Sequence, residues 1–304
     1  METAYHHLSV LLDESIDALN IKPNGVYVDC TFGGGGHSRA ILAKLGKHGR
    51  LIAFDHDKDS WANAPDDERF TFVKENFQYL KRFLKLHGVP KVDGILADLG
   101  VSSFQFDTAE RGFSIRFDAP LDMRMDDRLD RTAADIVANY SEQKLHLIFE
   151  QYGEVRNART LAKTIVEQRK NGAIKTIDDF KSRIGSCIKG KEHRYLAQVF
   201  QALRIEVNQE MEVLTEFLLQ TKACLKPNGR LAVITFHSLE DRLVKKIMKQ
   251  GSMKAIETDA FGRKLEENPF TTLKDVLPSE EEMKINGRSR SARLRTAVYE
   301  KTAE

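Results

Sequence analysis

Residues 26–37 read Val-Tyr-Val-Asp-Cys-Thr-Phe-Gly-Gly-Gly-Gly-His, and an apolar run of Ile41, Leu42, Ala43 and Leu45 lies just beyond. A short β-branched and aromatic run set off by Pro23, Asn24 and Gly25 is the pattern of a buried parallel strand. Four glycines then allow a sharp turn and close approach of backbone to a ligand, and a helix carrying Ile41, Leu42 and Leu45 follows. Strand, glycine turn and helix in that order make a cradle for a nucleotide-like cofactor. Taken alone, the glycines fit a flexible loop as well as a cradle.

Two carboxylates narrow the choice. Asp55 ends a second strand (residues 50–55) roughly 20 residues past the glycines, where doubly wound folds place the acid that binds ribose hydroxyls. Asp29 stands at the end of the first strand, just before the turn. A dinucleotide would bring its pyrophosphate against that carboxylate, at a repulsion of about a kcal/mol or more. A cationic ligand would be attracted. S-adenosylmethionine combines a sulfonium, an ammonium and an adenosine, so the charge pattern prefers it to NAD and disfavours a dehydrogenase.

The 304 residues carry 41% hydrophobic content and a net charge of +2, enough for a full core but not for a strong global attraction to nucleic acid. Basic surface must therefore be local. Cys30, Cys187 and Cys224 are too far apart in sequence for a C-x-x-C element, which argues against disulfides and a zinc site. At the amino end, Leu8, Val10, Leu11 and Leu12 run straight into Asp13, Glu14 and Asp17, leaving no signal-peptide core. No stretch approaches the ~20 apolar residues of a membrane span. These features predict a reduced, cytoplasmic protein without a membrane partner.

Along the chain, residues 9–19 form an amphipathic helix with Leu12, Ile16 and Leu19 on one stripe. After the second strand come a helix over 57–64, a strand over 70–73, a helix faced by Phe77, Leu80, Phe83, Leu84 and Leu86, and a fourth strand over 91–98 that ends in Asp98. In open α/β sheets ligands bind at that end of the strands, although position alone favours Asp98 as a cap for the turn at Leu99 and Gly100. The following Val-Ser-Ser-Phe-Gln-Phe-Asp is rich in polar donors. Residues 109–130 form a long irregular segment of the kind that often serves function. Its acids Asp118, Asp122, Asp126 and Asp127 invite a metal reading, but the interleaved Arg116, Arg124 and Arg128 favour internal ion pairs.

From 133 to about 219 only helical patterns occur. Between Glu142 and Glu206 there are 13 Lys and Arg against 8 Asp and Glu, an excess of +5 that fits RNA contact or an ordinary solvated surface. A helix over 210–225 then stops at Lys-Pro-Asn-Gly, and a strand over 230–236 leads into His237, Ser238 and Glu240 on the same sheet edge as Asp55 and Asp98. A last strand covers 294–299. Before it, Lys284, Arg288, Arg290, Arg293 and Arg295 form an acid-free stretch suited to phosphate contact. The predicted architecture is a parallel-type sheet interrupted after its fourth strand by a helical domain.

These motifs resemble the RsmH family, also called MraW. The segments are Asp-x-Thr-Phe-Gly-x-Gly-Gly-His-Ser (29–38), Asp-Leu-Gly-Val-Ser-Ser (98–103), Glu-Arg-Gly-Phe-Ser (110–114), Pro-Leu-Asp-Met-Arg-Met-Asp (120–126), Thr-Phe-His-Ser-Leu-Glu-Asp-Arg (235–242) and Arg-Ser-Arg-Ser-Ala-Arg-Leu-Arg near the end. The resemblance covers residues 8–299. It implies a class I, Rossmann-like methyltransferase sheet with an inserted all-helical domain: a core over 1–106 and 216–304, with an RNA-recognition insert over 107–215. The implied activity is transfer of a methyl group from S-adenosylmethionine to N4 of a cytosine in the decoding region of 16S rRNA, with the small ribosomal subunit as partner. Pairing of two copies is left open. By position in the motifs, Gly35, Gly36, His37, Asp55, Phe77, Asp98 and Gln105 are the implied cofactor residues. Phe104 departs from the proline common at that place in the family.

Methyl transfer from a sulfonium relies mainly on positioning. Cytosine's exocyclic amine is a weak nucleophile, and an acceptor for its N–H bonds would favour the reactive geometry. Asp98 is the catalytic candidate, or it holds the methionine end of the cofactor; Ser102, Ser103 and His237 are secondary. Attack through cytosine C5 would need a cysteine after strand four, and none is there. The other reading is an RNA-binding ribosome-assembly module that binds the cofactor without turnover.

Overall fold

The computed structural model describes residues 9–253 and 268–300; Leu8 lies outside them. The chain divides into two compact units, residues 1–100 with 212–304, and residues 101–211.

The first unit is built on a Rossmann-like α/β sheet. Its elements are α1 (Leu12–Leu19), β1 (Val26–Asp29), α2 (Gly36–Lys44), β2 (Arg50–Phe54), β3 (Phe70–Val73), α3 (Leu80–Leu86) and β4 (Val92–Asp98). With β5 (Leu225–Thr235), β6 (Phe270–Thr272) and β7 (Arg293–Tyr299), the seven strands stand in the order β3-β2-β1-β4-β5-β7-β6. β1 pairs in parallel with β2 and with β4, and Asp29 is level with Ala53 on one side and Leu96 on the other. The carboxyl ends of β2, β1 and β4 therefore form one edge, and the strand order reverses between β1 and β4. That switch point is where doubly wound sheets open a ligand crevice.

Apolar periodicity accounts for the layer against the sheet. Ile16 and Leu19 of α1 and Ile41 and Leu42 of α2 are buried with Tyr27, Leu51, Leu96, Ile234 and Leu294, each burial worth about 1.5–3 kcal/mol. Leu12, the third residue of the predicted stripe, is only partly buried against this cluster.

The second unit carries α4 (Ser103–Asp107), α5 (Ala133–Asn139), α6 (Glu142–Gln151), α7 (Ala158–Gln168), α8 (Ile177–Ile184) and α9 (Glu192–Asn208). Phe149, Leu161, Ile165, Phe180 and Leu203 are wholly buried in its core. The irregular stretch after Ala109 is part of that core: Leu121 and Met123 are 1% and 0% exposed. Asn208 ties it down, its amide donating to Met123 O and its carbonyl accepting from Met125 N. The acids there meet the interleaved arginines. Arg124 reaches Asp122 and Arg128 reaches Asp126, both at 2.8 Å, while Asp118 accepts from the main chain of Asp178. The unit begins at Val101, ahead of the edge at 107 read from sequence, because Val101 and Phe106 already pack against the helical core.

The chain returns along α10 (Glu210–Cys224) to β5 (Leu225–Thr235), α11 (Ser238–Gln250), β6 (Phe270–Thr272), α12 (Glu280–Ile285) and β7 (Arg293–Tyr299). Three details differ from the sequence expectation. Lys-Pro-Asn-Gly is a bulge inside β5, with Val92 opposite Leu225 and Gly94 opposite Arg230, and Asn228 takes the left-handed turn. β7 runs antiparallel between β5 and β6, so the sheet is mixed. Residues 57–64, predicted as a helix, form a 3-10 turn over Lys58–Asn63.

Candidate active site at the carboxyl edge of the sheet

The glycine turn connects β1 to α2 with Gly33 and Gly35 at positive φ, 51° and 76°. A Cβ on Gly35 would stand 2.8 Å from the Phe32 ring, and one on Gly36 would strike Ser9. Glycine is therefore required by close packing as well as by backbone conformation. At its open side the Gly33 N–H donates to Asp55 Oδ2 at 2.7 Å, and Asp55 Oδ1 accepts from Asp57 N at 2.9 Å. The carboxylate is aimed at the turn by two main-chain donors. Burial nevertheless pushes its pKa above the ordinary value.

Asp29, 1% exposed, turns inward from the end of β1. It accepts from Thr31 N at 3.1 Å and from Ser38 Oγ at 2.7 Å. Burial raises its pKa, against the opposing pull of His37 and the hydrogen bonds from Ser38 and Thr31. Thr31 also reaches the next strand, since its hydroxyl accepts from Asp98 N at 2.7 Å.

Asp98 ends β4 beside this group. Its Oδ2 stands 3.9 Å from His37 Nδ1, and its Oδ1 is buried without a hydrogen-bond partner among the described residues. A buried, unpartnered carboxylate oxygen is costly and marks a place for a donor or a cation. Burial pushes its pKa well above the ordinary value, reinforced by Asp29, Glu240 and Glu282. Acids thus surround Asp98 on several sides. This edge fits the ligand predicted from sequence: Asp55 can accept hydroxyls, the glycines admit a close backbone approach, and the acid-rich rim favours a cation.

His37 lies in the first turn of α2, only 5% exposed. Phe77 opens a 3-10 turn after β3 and packs edge-on against Phe217 at 5.1 Å between ring centres. His237 follows β5 and caps α11, with Nε2 at 3.1 Å from Glu240 Oε1. Ser102, Ser103 and Gln105 belong to the helical unit. There Ser102 caps α4, and Gln105 Oε1 accepts from Ser102 N at 3.0 Å in a capping box. Phe104 beside them is 55% exposed.

Two of the basic residues read as phosphate contacts are committed within the fold. Arg295 holds Asp241 at 2.6 Å and Asp275 at 2.9 Å, and Arg293 holds Asp275 at 3.0 Å. All three cysteines are free and buried, and burial drives the Cys30 thiol well above its ordinary pKa. No helix among the described residues is long and apolar enough to cross a membrane.

Sequence reasoning gave no role to Thr31 or Ser38, although both stand inside the quoted motif. It also missed Glu282, which reaches the site only through the fold.

The model of the MraW methylase family matches residues 4–301. A protein of Flavobacterium psychrophilum named ribosomal RNA small subunit methyltransferase H is 55% identical over 290 residues, 94% of this chain and 99% of its own. One of the same name from Bacteroides fragilis is 54% identical over 299 residues, 97% and 98% of the two chains. Among solved structures, an rRNA methylase from Streptococcus thermophilus aligns with a TM-score of 0.42 at 11% identity, over 97% of this chain and 99% of that one.

Proposed function

Because the chain belongs to the MraW methylase family, we propose that it methylates 16S rRNA, taking the methyl group from S-adenosylmethionine and placing it on N4 of a cytosine in the decoding region. The relatives are named for small-subunit ribosomal RNA, and the assembled small subunit is the proposed substrate. The observation that carries the reading is the unpartnered Oδ1 of Asp98, buried at the switch point of the sheet beside the glycine turn.

The bound donor supplies a methyl group already activated on a sulfonium. The residues of this chain supply positioning. Gly33, Gly35 and Gly36 would let the backbone come close, Asp55 would accept the ribose hydroxyls, Phe77 would hold the adenine, and His37 supports Asp98. Asp98 accepts N–H bonds from the donor's ammonium or from the cytosine amine. In the second role it draws the amine toward the geometry in which its lone pair can attack. Gln105 is a further proposed cofactor residue, and Ser102, Ser103 and His237 are proposed to grip the base. The target base leaves its stack to reach such a pocket, at a cost of a few kcal/mol.

The test is transfer of labelled methyl from S-adenosylmethionine to small ribosomal subunits, followed by mass-spectrometric mapping of the modified nucleotide. Label on N4 of one decoding-region cytosine is the expected result. Cofactor and RNA binding without label would establish the alternative, a ribosome-assembly module without turnover.

A further inference from the structure

His37 is fixed in an unusual way for a residue of a helix first turn. Its Nε2 stands 3.1 Å from the carbonyl oxygen of Val10. A carbonyl can only accept, so Nε2 carries the hydrogen and, in the neutral ring, Nδ1 presents a lone pair. That lone pair faces Asp98 Oδ2 at 3.9 Å. The neighbouring peptide is held as well: Leu11 N donates to Glu282 Oε1 at 2.9 Å, and Leu11 sits at φ 50°. A leucine in the left-handed region costs about 1–2 kcal/mol, and these two hydrogen bonds hold the segment in place over the site.

The tautomer creates an electrostatic problem. A neutral His37 opposite an ionised Asp98 would set a lone pair against a carboxylate, with Asp29, Glu240 and Glu282 adding negative charge nearby. Asp29 is bonded to Ser38 and Thr31, and its charge pulls the pKa of His37 upward against burial. A single proton on the pair removes the conflict. Burial lowers the pKa of His37 and raises that of Asp98, and both shifts favour the carboxyl as the proton's seat.

We infer that His37 is a positioning residue: with its ring pinned to Val10, it turns the Nδ1 lone pair toward Asp98 and so favours a protonated Asp98 in the free protein, which releases that proton when a cationic ligand takes its unpartnered oxygen. The Asp98 O–H bond breaks and the proton passes to the buffer. The carboxylate left behind is neutralised by the ligand's positive group, and no other bond changes. Binding is therefore linked to pH. The bound state carries fewer protons, so affinity rises with pH from the ordinary carboxylate range upward, by up to about tenfold per unit where the free pair is protonated.

This inference rests on the cofactor reading of the site, and the experiment separates the two. Calorimetric titration of the whole protein with S-adenosylmethionine, in buffers of differing ionisation enthalpy at neutral pH, gives affinity and proton exchange together. Net proton release on binding is expected, with affinity increasing on raising the pH. In His37→Gln, a non-titrating donor still within reach of Val10 O, the variant binds with a different proton count and a flattened pH dependence. Histidine ring resonances in wild type, assigned by their loss in that variant, report a neutral Nε2-H form of His37 in the free protein. Binding with no proton exchange, or an unchanged pH profile in His37→Gln, overturns the inference and leaves the cofactor reading standing. Absence of binding overturns both.

Discussion

The main-chain N–H of Asp98 donates to the hydroxyl of Thr31 at 2.7 Å, a bond that joins the carboxyl ends of two adjacent parallel strands. Thr31 lies two residues beyond Asp29, whose carboxylate accepts from Thr31 N. One threonine thus sets the position of both acids at the switch point. Thr31→Val keeps the β-branched shape and removes the acceptor. It is expected to cost about 1–3 kcal/mol in urea unfolding, the penalty for an unsatisfied buried donor, with weaker binding of S-adenosylmethionine. Thr31→Ser should recover most of both.

Gly35→Ala tests the turn. At φ 76° an alanine costs about 1–2 kcal/mol, and its Cβ would stand 2.8 Å from the Phe32 ring and from Arg39 Nη1. Urea midpoints should fall accordingly. Calorimetry should show at least about a tenfold loss of donor affinity, about 1.4 kcal/mol. Unchanged binding would mean that the ligand does not lie against this turn.

Asp55→Asn tests the ribose assignment. A charged acceptor is worth roughly 1.5–3 kcal/mol, so affinity for S-adenosylmethionine should drop roughly ten- to a hundredfold. A deoxyribose analogue should bind wild type more weakly but the variant without a comparable further loss, because the two changes remove one interaction. Additive losses would place the hydroxyls elsewhere.

Acid stability tests the clamp at the far side of β5. Burial pushes the Asp241 carboxyl upward, but the hydrogen bond and charge of Arg295, with Arg293 and Lys245, hold it below the ordinary value. A depressed folded pKa gives stability that is present above the ordinary carboxylate range and is lost as pH falls through the folded pKa. Asp241→Asn should therefore be less stable than wild type by about 1–3 kcal/mol at neutral pH. Thermal melts at a series of pH values should show the gap closing below about pH 4.

The strand ends that frame the site were readable because β1 and β4 stop at Asp29 and Asp98, and Asp55 directly follows β2. Val26–Asp29, Phe70–Val73 and Val92–Asp98 match the apolar runs almost residue for residue. Strand direction was not readable: β7 is buried along most of its length, and apolar content reads the same whichever way a strand runs. β6, only 3 residues long, leaves no periodicity to find. The tautomer of His37 depends on a carbonyl 27 residues away, and Glu282 bonds to an amide 271 residues away. Such contacts come from tertiary packing, which local pattern does not carry. In the irregular acidic segment the interleaved charges form the internal ion pairs expected, Arg124 with Asp122 and Arg128 with Asp126, while nothing in that pattern marks Leu121 and Met123 as core residues of the helical unit.

The most direct measurement compares wild type and Asp98→Ala in methyl transfer from labelled S-adenosylmethionine to small ribosomal subunits, with the modified nucleotide mapped and the fold of each protein checked by circular dichroism. Wild type should label N4 of a single cytosine in 16S rRNA, and folded Asp98→Ala should give no label. Near-normal turnover in that variant would contradict the role given to the edge of β4.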